Sequence, residues 1–195
     1  MIIRPALRGP FGFMGLLFVA ALMLDLGERA LNRDKSLGNS MPADIHFYHL
    51  QMQPLEAALP LLLEKCLERG WSAFIQTGSE ERADALDSHL WSWREDSFLA
   101  HGLAKSAFAD RQPILISAEP VRAENGAHVR FFVDGARPEE DISLLDGLER
   151  AILMFDGGSD EALHAARQSW KALKDASFPV TYWQQTARGG WDKKD

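Results

Sequence analysis

The sequence has a single cysteine, Cys66, which excludes an intramolecular disulfide and a zinc site built on several cysteines. The six histidines follow no HExxH-type spacing, and the chain has neither a GxSxG nucleophile elbow nor a lysine-containing phosphate loop. No pair of carboxylates is singled out by its spacing. These absences favour a binding protein that uses no metal or cofactor over an enzyme.

The sequence also lacks an excess of positive charge and a long apolar segment. A net charge of -7 predicts no general affinity for nucleic acid. The apolar run at residues 11–24 is shorter than the ~20 residues of a membrane-spanning helix and has the length of a signal-peptide core. It indicates a signal or anchor, an amphipathic appendage, or translation from a start upstream of the true one. We favour the last interpretation, with Met41 as the usual start.

Composition divides the chain into three parts. Residues 1–40 form an N-terminal extension that we do not expect to belong to the fold, and residues 41–185 read as a complete α/β domain. Residues 186–195 are polar and rich in glycine, and we expect this C-terminal tail to fray.

Apolar runs of strand length alternate with helical patterns in residues 41–185. Pro60 predicts a kink in the first helix or a start close to it, and Asn125-Gly126 predicts a hairpin-type turn between the third and fourth strands. The order of elements predicts a mostly parallel twisted sheet with helices on both faces, a Rossmann-like three-layer sandwich. Strands are predicted at 45–50, 71–76, 112–117, 129–133, 151–155 and 180–183, and helices at 53–69, 79–90 and from 159 onward.

The last helix carries a group of basic residues beside a tryptophan. Arg167, Lys171 and Lys174 stand at i, i+4 and i+7, so they share one face of the helix, and Trp170 lies next to them. This group predicts either a seat for an acidic peptide with an apolar end or a solvated helix face whose tryptophan turns into the core. The apolar strands on either side of the helix predict a parallel pair with a right-handed crossover.

The Asp156–Ser159 turn precedes this helix, and Ser159 is its predicted N-cap. A helix N-terminus can hold an anion, so a small α/β nucleotide-binding protein or enzyme that uses this turn is the alternative function. The acidic residues at 156, 160 and 161 would repel a phosphate, and a turn with a cap explains the sequence more simply.

Residues 90–104 contain many large apolar side chains but follow neither a strand nor a helix period. We interpret the segment as a loop or a short irregular piece. Trp91, Trp93, Phe98 and Leu99 are too many for an ordinary solvated loop. They either cover the core or form a surface that binds a partner.

Several short stretches, taken in order, resemble the chi subunit of bacterial DNA polymerase III. The resemblance covers nearly all of residues 41–195 and none of residues 1–40. The order and spacing of the stretches carry it rather than any single motif. They are FYHL at 47–50, TGSEERADALDSHLW at 77–91, DSFLAHGLA at 96–104, FVDGA at 132–136, LMFDG at 153–157 and QSWKALKDASFPVTYWQQ at 168–185.

The resemblance implies a cytoplasmic, non-catalytic accessory subunit of the clamp loader. Such a subunit binds the psi subunit and the acidic, Phe-ended C-terminal tail of single-stranded DNA-binding protein, and so links the holoenzyme to coated template. It implies an α/β fold related to nucleotide-binding folds, without nucleotide binding.

The resemblance also assigns residues to these two contacts. Arg167, Trp170 and Lys171 match the tail site, and Trp91 and Phe98 match the psi-binding segment. The family's further basic residue, one turn earlier, falls near Leu163 or His164 in this chain. Helical spacing offers Lys174 as its replacement.

Overall fold

The computed structural model describes residues 42–188 and 190–194. Within these residues, eight strands form one sheet and three α-helices pack on it. The strands are β1 (Asp44–Leu50), β2 (Ala73–Thr77), β3 (His101–Leu103), β4 (Ile114–Ser117), β5 (Val129–Val133), β6 (Arg150–Asp156), β7 (Val180–Gln185) and β8 (Trp191–Lys194). The helices are α1 (Leu55–Glu68), α2 (Glu80–Ser92) and α3 (Asp160–Asp175). The predicted N-terminal extension lies outside the described residues.

The strand order is β3-β4-β2-β5-β6-β1-β7-β8, and every neighbouring pair is parallel except β7 with β8. Helix α3 covers the face that includes Phe47, because its Trp170 packs against that ring. Helix α1 lies on the other face, where its Cys66 is close to Arg150 of β6. Burial raises the pKa of the Cys66 thiol, and the charge of Arg150 opposes part of this rise. The predicted α/β class, mostly parallel sheet and sandwich architecture are confirmed.

Two predictions of strand pairing are wrong. The strands on either side of α3, β6 and β7, run parallel as predicted, but they do not pair with each other, because β1 lies between them. The strands on either side of Asn125-Gly126, β4 and β5, form no hairpin, because both pair in parallel with β2. Gly126 does occupy a turn with φ of 63°, and the Asn125 amide donates to the Ala73 carbonyl over 3.0 Å. A local turn signal says nothing about which strands become neighbours.

Helix α1 begins at Leu55 and continues through Pro60 to Glu68, so it does not start at the proline. A proline has no N–H to donate to the carbonyl four residues earlier, which here belongs to Glu56. His89 of α2 donates its Nε2–H to that carbonyl oxygen over 2.9 Å. The neighbouring helix therefore satisfies the acceptor that Pro60 leaves without an intrahelical donor.

Two short edge strands were not predicted from the sequence. β3 lies within the segment interpreted as irregular, and β8 lies within the tail expected to fray. Trp191 of β8 packs edge-on against Tyr48, with ring centroids 4.6 Å apart. Thr186 and Gly190 close the connecting turn by two hydrogen bonds of 2.9 and 3.0 Å. The expectation of fraying is therefore wrong for residues 191–194.

Candidate functional site

Helix α3 is fixed at its start by the predicted cap. The Ser159 hydroxyl accepts a hydrogen bond from the Ala162 N–H over 3.2 Å, and acidic side chains in the first turn suit the helix dipole. One side of the helix is buried against the sheet through Ala166, Ser169 and Leu173. The side chains next to this side are partly buried, and the basic residues lie on the exposed side of the helix.

The α3 patch consists of Arg167, Trp170, Lys171 and Lys174. Its three cations are exposed, and none of them forms an ion pair with any described residue. Trp170 is partly buried, with its ring 5.2 Å from that of Phe47, and the Lys174 ammonium lies 5.0 Å from its centroid. The tryptophan therefore packs on the core in part, while the basic side of the helix is exposed, and the use of this side as a peptide seat stays a prediction.

Tyr182 of β7 lies beside this patch and was not singled out from the sequence. Its ring is 6.1 Å from that of Trp170, and its hydroxyl is hydrogen-bonded to Nδ1 of the buried His49 over 2.6 Å. Burial raises the pKa of Tyr182, and the charge of Arg167 opposes that rise. The register of β1 with β7 places Tyr182 opposite Phe47, on the face that α3 covers. A period of two along β7 marks this face, but sequence alone does not show that α3 covers it.

The buried His49 explains one glycine of the Asp156–Ser159 turn. A side chain at Gly157 would place its Cβ 2.0 Å from Nε2 of His49, too close for any residue larger than glycine. Burial lowers the pKa of His49, and Asp156 partly opposes this change. Asp156 itself accepts a hydrogen bond from the Gly158 N–H over 2.8 Å. The turn is therefore shaped by contacts within the chain.

A cleft of about 760 Å³ lies at the carboxyl ends of β1 and β6, between α1 and α3. Its two arginines are paired with carboxylates: Arg82 with Asp134 over 3.0 Å, and Arg137 with Glu139 over 2.6 Å. At its edge, the Gln185 side-chain oxygen accepts hydrogen bonds of 2.9, 2.9 and 3.1 Å from three successive backbone N–H groups, those of residues 51–53. Such a row of donors suits an anion, and in this chain a neutral amide oxygen occupies it.

The aromatic segment after α2 divides into buried and exposed parts. Leu99 is buried, whereas Trp91 and Phe98 are 62% and 73% exposed, with ring centroids 6.0 Å apart. Trp91 also lies 4.9 Å from the ring of His101, which is buried and hydrogen-bonded to the backbone carbonyls of Leu99 and Asp87. We call Trp91 and Phe98 the α2 patch. It is an exposed apolar surface, which the buried His101 contacts at Trp91, and it lies on the opposite half of the sheet from α3.

Two further kinds of site were sought in the described part of the chain. In residues 42–188 and 190–194, no three His, Cys, Asp or Glu side chains are grouped so that they would hold a metal ion. The helices of the same residues include none that is both long and apolar enough to span a membrane. The apolar run at residues 11–24 is not among the described residues.

Comparison with known proteins bears on these surfaces. A family model described as DNA polymerase III chi subunit, HolC, matches residues 42–181. A search of curated proteins found no match. The matched range includes the α2 and α3 patches and ends just before Tyr182, so β8 lies beyond it. Because the match covers more than two thirds of the sequence, the chain belongs to the DNA polymerase III chi subunit family.

Proposed function

We propose that this chain links the clamp loader of DNA polymerase III to coated template by binding two proteins. Membership of the chi family makes it a replication accessory subunit of the DNA polymerase III complex. In our proposal, the α3 patch binds the acidic C-terminal tail of single-stranded DNA-binding protein, the α2 patch binds the psi subunit, and both contacts form in the cytoplasm.

The α3 patch is the observation that carries the tail-binding proposal. Three exposed cations, which have no carboxylate partner among residues 42–188 and 190–194, share a helix with a partly buried tryptophan on a chain whose net charge is -7. A peptide that ends in acidic residues and a phenylalanine needs both features, since the ring requires an apolar contact and the carboxylates require cations. Leu163 and Trp170 supply the apolar side, and both pack on the core beneath α3.

The expected affinity follows from the size of this contact. Burying a phenylalanine ring contributes roughly 1.5–3 kcal/mol, and each exposed ion pair adds about 0.2–1 kcal/mol and is screened by salt. With three cations these contributions reach about 6 kcal/mol at most, so we expect binding in the tens of micromolar or weaker, and weaker still as salt is raised. The same net charge opposes tight binding of bare DNA.

Nucleotide binding through the Asp156–Ser159 turn is the less favoured function. The backbone N–H groups of residues 51–53 already donate to Gln185, and the arginines of the adjoining cleft are paired with carboxylates. Exposed Asp156 would also repel a phosphate at the start of α3. A thermal-shift series with nucleotides tests this alternative, because a nucleotide that bound would raise the melting temperature.

Fluorescence polarisation tests the tail site directly. The full chain is titrated into the labelled C-terminal peptide of the same organism's single-stranded DNA-binding protein, at low and high salt, beside a peptide without its final phenylalanine. We expect binding that needs the phenylalanine, weakens with salt and falls several-fold in Arg167→Ala and Lys171→Ala. Arg122→Ala, an exposed arginine in the β4–β5 connection, is the matched control. Wild-type affinity in both α3 variants would refute the site.

The psi contact is tested on the α2 patch by the same logic. Trp91→Ala and Phe98→Ala should each weaken binding to the psi subunit by tenfold or more, roughly 1.4 kcal/mol, because large aromatics dominate interface energies. Met52→Ala is the control, since Met52 is a similarly exposed apolar residue that follows β1. An equal affinity for all three variants, measured by calorimetry, would refute the assignment.

A further inference from the structure

The edge strand β8 lies directly beside Tyr182. In the antiparallel register of β7 with β8, Tyr182 is opposite Lys194 and Gln184 is opposite Asp192. Residues directly opposite one another in such a pair project from the same face of the sheet. Lys194 therefore shares the face of Tyr182, whereas the neighbouring Lys193 projects from the other face.

Tyr182 is bordered by α3 on its other side. Trp170 packs edge-on against the Tyr182 ring. Arg167 is also close to Tyr182, because its charge opposes part of the rise that burial causes in the pKa of the Tyr182 hydroxyl. His49 holds that hydroxyl in place. Tyr182 therefore lies between the basic side of α3 and the edge strand β8, and its hydroxyl is held by His49.

From this arrangement we propose that β8 is the second wall of the peptide-binding site and that Lys194 is a further cation for the acidic peptide. The inference rests on the proposed tail-binding function and extends it to residues beyond the family match. The acidic carboxylates of one peptide would lie over Tyr182, between Arg167 and Lys194. Lys194 supplies a positive charge on the β8 side of Tyr182, away from the cations of α3.

Lys194 is available for this contact. It is half exposed and its ammonium lies 3.8 Å from the carboxylate of Asp192, which is also exposed. An exposed pair at this distance is weak, so peptide carboxylates compete with it readily. Asp192 projects from the same face as Lys194 and opposes the binding of an acidic ligand.

The strand that carries Lys194 is held in position by apolar contact. Trp191 packs on Tyr48 on the opposite face of the sheet, and the Thr186–Gly190 turn is closed by two hydrogen bonds. Because the anchor and the cation lie on opposite faces of β8, removing the Lys194 charge leaves the attachment of the strand intact.

The adjacent lysines of β8 provide a matched test. The full chain and its Lys194→Ala, Lys193→Ala and Asp192→Asn variants are titrated with the labelled acidic peptide at low and high salt. We expect Lys194→Ala to weaken binding about 2- to 5-fold at low salt and less at high salt. Lys193→Ala changes the net charge equally from the other face and should bind more tightly than Lys194→Ala. Asp192→Asn should strengthen binding about 2-fold.

The result for Arg167→Ala separates this inference from the proposed function. If Arg167→Ala weakens binding while the two lysine variants bind equally, β8 is not part of the site and the inference is overturned. If Arg167→Ala, Lys171→Ala and Lys194→Ala all bind like the wild-type chain, the tail site itself is overturned. Matching thermal melts for the lysine variants show that any difference arises from contact with the peptide.

Discussion

Replacing Gln185 with alanine should destabilise the chain through the backbone at the end of β1. The Gln185 oxygen accepts hydrogen bonds from the N–H groups of residues 51–53, and the side chain is buried. Removing one partner of a buried hydrogen bond costs about 1–3 kcal/mol. Gln51 and Met52 are exposed enough for water to replace part of the loss. We therefore expect Gln185→Ala to lower the free energy of unfolding by about 2–3 kcal/mol.

Gln184→Ala is the matched control, because this neighbour makes one exposed hydrogen bond to the Gln51 side chain over 3.0 Å. It should cost less than about 1 kcal/mol. Urea unfolding followed by circular dichroism measures both variants, and similar slopes against urea would show that the unfolded states are comparable. Equal losses in the two variants would refute the idea that Gln185 supports the end of β1.

Three other variants or conditions test buried groups around the site. Gly157→Ala should lower the free energy of unfolding by about 1–3 kcal/mol, because the new Cβ would lie 2.0 Å from Nε2 of His49. Gly158→Ala is the control in the same urea assay, and an equal or larger loss of stability in that variant would contradict the prediction. Burial lowers the pKa of His49, so as the pH drops the imidazole of the unfolded chain is protonated before that of the folded chain. The free energy of unfolding should therefore fall as the pH drops below ~6.5. His49→Gln should reduce this pH dependence, and an unchanged slope of the free energy against pH would refute the assignment. Burial raises the pKa of Cys66 to about 12, so at pH 8 its thiol should react with a thiol reagent far more slowly than in urea, and equal rates would show that it is accessible.

The elements that could be predicted from the sequence are those set by local chemistry. Ser159 was predicted as the cap of α3 because its hydroxyl suits a free backbone N–H, and the hydrogen bond to Ala162 confirms it. The strand predicted at 129–133 matches β5, since a short apolar run with flanking turns leaves little choice of bounds. The grouping of Arg167, Lys171 and Lys174 on one exposed side follows from helical periodicity alone.

The elements that were missed depend on residues far away in the sequence. β8 has only four residues, and the packing of Trp191 on Tyr48 stabilises it. Tyr48 lies 143 positions earlier in the sequence. The pairing of β6 and β7 with β1 depends on the sheet as a whole, which no pattern within residues 151–185 encodes. Tyr182 and Lys194 could not be assigned to the candidate site from sequence for the same reason.

The hydrogen bond between His89 and the Glu56 carbonyl links two positions in the evolution of the sequence. With any other residue at position 60, the helix would supply its own donor to that carbonyl, and the carbonyl would no longer depend on the imidazole. With another residue at position 89, Pro60 would leave the carbonyl dependent on water. Substitutions at positions 60 and 89 should therefore be correlated among relatives, although the two residues belong to different helices.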